Sequence, residues 1–349
     1  MPNTFLIRSV AAGLIACAFA LSAAQAQDDQ REESSTPVRR VISIGNYPRV
    51  DGLRINFRDR DLELVRGINL TMWKPYDDSF EGRVEGVAIG LPMTGARNII
   101  GLSVAAFGIG TSDDLRGVTV AGLGGGAGGT LSGISIGGIG LGAGDGVRGL
   151  AVGGIGVGSG GDARGILFGG VGAGVGGSLR GAALGGVGVG AGGNARGLMV
   201  GGIGVGVGGD VRGLMVGGIG VGAGGDVRGV SVAGVGVGSG GTIHGLSIAG
   251  VGVGAPRLEG GVLAPLVGAE TARAIIIAPI LFRTESDGEL VGASLSAVNA
   301  VRGYQRGLSI GLVNYAESLF GVQLGLVNIV RDNPSPFRVL PIINIGRDR

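Results

Sequence analysis

Cysteine and histidine are nearly missing from this chain: each occurs once in 349 residues, as Cys17 and His244. If Cys17 leaves with an N-terminal export signal, no cysteine and one histidine remain. That leaves a zinc site or a Cys/His pair without its parts and a Ser/His/Asp triad with His244 as its sole candidate base, so neither a metal nor a cofactor is expected. Aromatic residues make up 4% and charged residues 15%. The net charge of +2 is too small to argue for a nucleic-acid partner from bulk electrostatics. Proline is scarce, with 11 residues. Beyond the N-terminus the longest uncharged stretches, such as 117–144, are interleaved with glycine, serine and threonine and are not the continuous apolar run of roughly 20 residues that a membrane-spanning helix needs. What abounds is glycine, at 81 residues. Collagen and disorder both fail as explanations, because the period is not three and Val, Ile and Leu are plentiful.

Residues 1–26 read as an export signal. Arg8 supplies the positive charge, residues 10–23 the apolar run, and Ala24-Gln25-Ala26 a small-x-small cleavage site. Leu14-Ile15-Ala16-Cys17 is also shaped like a lipobox, but it would leave a very short apolar run before the cysteine. Residues 27–40 (QDDQREESSTPVRR) lack apolar periodicity and read as a flexible linker. Residues 41–98 hold the one tryptophan, Trp73, and strand candidates at 52–57, 67–73 and 83–91. They are placed to be a β cap on the array that follows, since a repeat stack needs its first coil covered.

Residues 99–256 repeat every 16, most clearly in Arg212-Gly-Leu-Met-Val-Gly-Gly-Ile-Gly-Val-Gly-Ala-Gly-Gly-Asp-Val227. Counting from the arginine as offset 0, apolar residues fall at offsets 2 and 4, then 7, 9 and 11, then 15. Spacing of two within each group marks strands, and glycine pairs between groups mark corners. Offset 14 is a turn former in most copies: Asp162, Ser178, Asn194, Asp210, Asp226 and Thr242. The pattern predicts an all-β, glycine-rich β-solenoid whose coils stack about 4.8 Å apart in parallel ladders. Offset 2 (Val118, Ile134, Leu150, Ile166, Ala182, Leu198, Leu214, Val230, Leu246) is expected to face inward. The glycines around Ile219, Val221 and Ala223 are expected to leave one bare face. The alternative is an outer-membrane β-barrel with one strand per repeat, disfavoured by the flips of parity and the missing aromatic girdles.

The sharpest candidate site is the arginine column at Arg116, Arg148, Arg164, Arg180, Arg196, Arg212 and Arg228, with Ser132 and His244 in the same slot. Guanidiniums stacked this way suit phosphates or another anionic envelope polymer, or a membrane surface. The plainer use is a solubilising edge, with Asp162, Asp210 and Asp226 two positions ahead as partial counter-charges. The bare glycine face suggests self-association. His244 reads as an outward ladder member rather than a catalytic base. Asp77-Asp78 and Asp113-Asp114 read as solvated loop acids. Gly-x-Gly-x-x-Gly strings recur, but never in a βαβ setting. Offset 3 varies too much for the threonine rows of a flat ice-binding sheet.

Residues 257–349 form a C-terminal β region with two looser repeats, Gly307-Leu-Ser-Ile-Gly-Leu-Val-Asn314 and Gly321-Val-Gln-Leu-Gly-Leu-Val-Asn328, and close through Leu340-Pro-Ile-Ile-Asn344. These units, with Gly67-Ile-Asn-Leu-Thr-Met-Trp-Lys-Pro75, resemble exported surface-repeat proteins of Leptospira and other Gram-negative bacteria, which carry G-[VL]-x-[IL]-G-L-[VI]-N units. The resemblance covers about the first hundred residues after the signal and the last fifty. It implies a repeat β architecture, a place at the cell surface, outer membrane or periplasm, and no enzymatic activity. The expectation is thus a non-enzymatic structural or interaction protein of the cell envelope. A barrel protein is the first alternative, and a polysaccharide-active β-helix enzyme a weaker one.

Overall fold

The computed structural model describes residues 40–75 and 80–346. The expected export signal, the expected linker up to residue 39 and Asp77-Asp78 lie outside the described residues. Every regular element among those described is a strand. The chain is a parallel β-solenoid of about 17 turns, with coils of about 16 residues, and it is not a barrel. Two compact units divide it, one ending at Gly128 and one beginning at Gly129.

A coil of the second unit shows how the sequence makes this shape. Val211–Gly217 is a long strand and Gly220–Ala223 a short one. The long strand pairs in parallel and without slippage with Ala195–Gly201 before it and Val227–Ala233 after it. The short strands stack the same way, Val205 on Val221 on Val237. At the corners the backbone ladder continues: the Ile219 amide donates to the Ile203 carbonyl at 2.7 Å, and the Gly225 amide to the Gly209 carbonyl at 3.1 Å. The corner after the short strand is pinned by the offset-14 side chain. Asn194 Oδ1 accepts from the Asp210 amide at 2.8 Å, Asp210 Oδ1 from the Asp226 amide at 2.9 Å, and Asp226 Oδ1 from the Thr242 amide at 2.8 Å. Each turn residue thus caps the coil that follows it.

Inside and outside differ from the expected assignment. Offset 2 faces out, and offset 3 is the core: Leu167, Ala183, Met199, Met215, Ser231 and Ser247 are all buried, whereas Ile166 and Leu214 are exposed. The reason lies in the continuity of the long strand. It begins at offset 15 with a buried residue (Val211, Val227) and alternates from there, so Arg212, Leu214 and Val216 share the outer face. Offset 1 is a glycine that interrupts the alternation and is left unburied. Gly213 has φ +135°, and a Cβ there would lie 2.1 Å from the Gly197 carbonyl oxygen of the coil below. Offsets 9 and 11 are buried as expected (Val221, Ala223), but offset 7 projects outward at the corner, as at Ile219.

The same long-strand geometry extends beyond the regular array. In the first unit, Arg49–Arg58, Leu64–Trp73, Arg83–Gly90, Asn98–Ala105 and Leu115–Ala121 pair in parallel, with Gly52, Gly67, Gly86, Gly101 and Gly117 in register. The stretch expected to be a cap is itself built of coils. In the second unit, stacking continues past Ala255 through Gly252–Leu263, Leu266–Ile310 and Val313–Val330, with Gly245 over Gly260 and Gly307 over Gly321. The last strand, Val339–Gly346, runs antiparallel to Val313–Val330 and covers its open edge.

Candidate functional site

The column of long-strand residues at offset 0 is where the sequence concentrates charge. Because offset 0 follows a buried offset 15, each of these side chains leaves the strand on its outer face. In the second unit, Arg148, Arg164, Arg180, Arg196, Arg212 and Arg228 stand in strict register on successive coils. Ser132 precedes them and His244 follows, and all the arginines of the column are exposed. In the first unit Arg116 holds the same slot, beside Ile100, and pairs with Asp114 at 2.6 Å.

Counter-charge is thinner than the sequence suggests. Arg228 Nη2 lies 3.4 Å from Asp226 Oδ2. For Arg148, Arg164, Arg180, Arg196 and Arg212 no acidic partner is found among the described residues. Asp162 and Asp210, expected as their neighbours in charge, spend an oxygen on the backbone of the next coil instead. The Thr242 amide bond, and more weakly the charges of Arg228 and His244, hold the Asp226 carboxyl below its ordinary 3.8, with desolvation opposing. His244 sits outward in the arginine slot, its Nδ1 2.8 Å from Glu259 Oε2 on the next coil. Repulsion between neighbouring guanidiniums is tolerable, about 1 kcal/mol or less per pair in water.

On the same face as these arginines lie the aliphatic columns at offsets 2 and 4, and beside them the corner column at offset 7. Ile134, Ile136, Ile166, Phe168, Leu214 and Leu246 are exposed on the strand, as are Ile155, Ile203 and Ile219 on the corner. The interior beneath them mixes large and small side chains, Leu167, Met199 and Met215 with Ala183, Ser231 and Ser247. Ser231 and Ser247 are fully buried with no hydrogen-bond partner for their hydroxyls. Both faces of the long strands therefore carry apolar bulk, whereas an ordinary soluble sheet turns a polar face to water.

Two features fell outside what the sequence pointed to. Arg54 is buried with Asp59, in a cluster where Asn56 Nδ2 donates to Asp59 at 2.6 Å and Thr71 Oγ1 to Asn56 at 2.9 Å. The signal was parity: Arg54 and Asn69 share the column that holds Ala88, Ser103 and Thr119 in later coils. The Asn closing each Gly-Leu-Val-Asn unit forms a buried ladder. Asn299 Nδ2 donates to Asn314 Oδ1, and Asn314 Nδ2 to Asn328 Oδ1, both at 2.7 Å. Asp113 and Asp114 do not face a common substrate position; they pair with Arg97 at 2.8 Å and with Arg116. A polar hollow of about 490 Å³ lies among Ser286, Asp287, Arg302, Tyr315 and Glu317. Among the described residues, no group of three or more His, Cys, Asp or Glu side chains is placed to hold a metal ion. No protein-family model, curated protein or solved structure matches the chain.

Proposed function

We propose that this chain is an exported, non-enzymatic scaffold of the bacterial cell envelope that works by presenting a long, periodic outer face to an anionic partner. The observation that carries it is the run of five stacked guanidiniums, Arg148 to Arg212, without acidic partners on an otherwise apolar face. Charge left unneutralised in register over successive coils serves binding better than folding, because exposed ion pairs would have been enough for solubility. The signal-like N-terminus and the likeness of residues 307–314 and 321–328 to leptospiral surface repeats support the envelope address. Fractionating the native cells, with proteolysis of intact cells alongside, tests this. The chain is expected in the envelope fraction; recovery from the cytosol contradicts the reading.

A further inference from the structure

We infer that the arginine-edged aliphatic face of the second unit is a docking surface for an anionic phospholipid bilayer. The inference rests on the envelope-scaffold reading and names its partner. The face is large. From Ile134 to Ile275 it spans nine coil-to-coil steps, about 43 Å at about 4.8 Å each. On the strand the strip covers offsets 2 to 4, about 7 Å at about 3.3 Å per residue, and the exposed corner column at offset 7 continues it past the glycine bend.

The core is already filled by Leu167, Met199 and Met215 together with smaller residues such as Ala183 and Ser231, and Phe168 and Ile166 still stand outside it at 46% and 49% exposure. On the arginine-bearing strands the outward order is cation, apolar, apolar, then a corner apolar residue, as in Arg164, Ile166, Phe168 and Val171. The arginines therefore line one margin of the apolar strip rather than dotting it. Long side chains at such a margin reach sideways to headgroup phosphates while the strip lies against the acyl boundary. Charge complementarity selects the lipid. Five guanidiniums without carboxylate partners among the described residues call for an anion, and the apolar strip beside them calls for hydrocarbon; an anionic bilayer supplies both at one surface. A second copy of the chain brings the hydrocarbon, but its matching column is again cationic.

The test uses the exported chain as the cell processes it, with every variant expressed in the same way, so that whatever N-terminus remains is common to all. Binding is measured by co-sedimentation with vesicles of phosphatidylcholine alone and of phosphatidylcholine with about one third phosphatidylglycerol, at low and high salt. Far-UV circular dichroism checks the fold. The proposal expects at least tenfold tighter binding to the anionic vesicles and weakening in high salt. The variant Arg164→Ser/Arg180→Ser/Arg196→Ser/Arg212→Ser should lose that preference, and Ile166→Ser/Leu214→Ser should bind at least tenfold more weakly with an unchanged spectrum. Equal binding to both vesicles, no binding, or indifference to these folded variants overturns it. So does a stable dimer by sedimentation equilibrium that the Ile166/Leu214 variant dissolves, which gives the face to a second copy. If the chain fractionates with the envelope but ignores vesicles, the lipid is wrong and the scaffold stands; if it is cytosolic, the scaffold reading is what fails.

Discussion

Single residues hold the coil corners, and Asp226 shows how. Its carboxylate accepts the Thr242 amide and sits near Arg228, so its pKa is lowered on folding. A depressed folded pKa contributes stability that is present above the ordinary value of 3.8 and lost as pH falls through the lower folded value. Asn194 accepts the same bond from Asp210 without a charge. Asp226→Asn should therefore melt below wild type near neutral pH, with the gap closing as pH falls below 3.8 through the lower folded value; a gap independent of pH contradicts this assignment. The buried pair Arg54–Asp59 behaves differently, because neither side chain meets water. Asp59→Ala strands the guanidinium, whose Nε and Nη2 already lack partners. A loss of about 3–5 kcal/mol in urea unfolding is expected, with a smaller loss for Arg54→Met/Asp59→Leu.

At the scale of the strand, the two kinds of glycine separate sharply. Gly213 sits at positive φ under a carbonyl of the coil below, whereas a Cβ on Gly222 would meet no atom within 4 Å. Gly213→Ala should cost about 1–3 kcal/mol or more from strain alone, and Gly222→Ala should be neutral or stabilise by about 0.4–1 kcal/mol. Equal costs on thermal melting contradict the strand assignment. Asn314 accepts from Asn299 and donates to Asn328 and to the Leu324 carbonyl while fully buried. Asn314→Ala should cost about 1–3 kcal/mol for each group left unpaired.

The repeat, its two strands and the glycine corners were legible in the sequence, because spacing of two and glycine pairs encode them directly; that one strand is long and runs unbroken from offset 15 through offset 5 was not. The inside of the long strand was not. Large aliphatics at offsets 2 and 4 masked the true core column at offset 3, where serine, alanine and methionine do the packing. Hydrophobicity names the buried face only when the other face is polar, and here it is not. The arginine column was legible as a column. That Asp162 and Asp210 turn to the backbone instead of neutralising it was not, since spacing does not say which partner a carboxylate prefers.

For the whole molecule, stacking coils in parallel register puts one chemical type in each column, so a substitution repeated down a column acts on a surface rather than a point. The account stands on the claim that the offset-0, -2 and -4 residues form the working surface while the glycine strand does not. An environment-sensitive fluorophore placed on Leu214→Cys or on Gly222→Cys, each in a Cys17→Ser background that removes the single native cysteine, reads this directly. With anionic vesicles present, the label at 214 should shift to the blue and become shielded from an aqueous quencher, and the label at 222 should do neither. No change at 214, or equal changes at both positions, contradicts the claim.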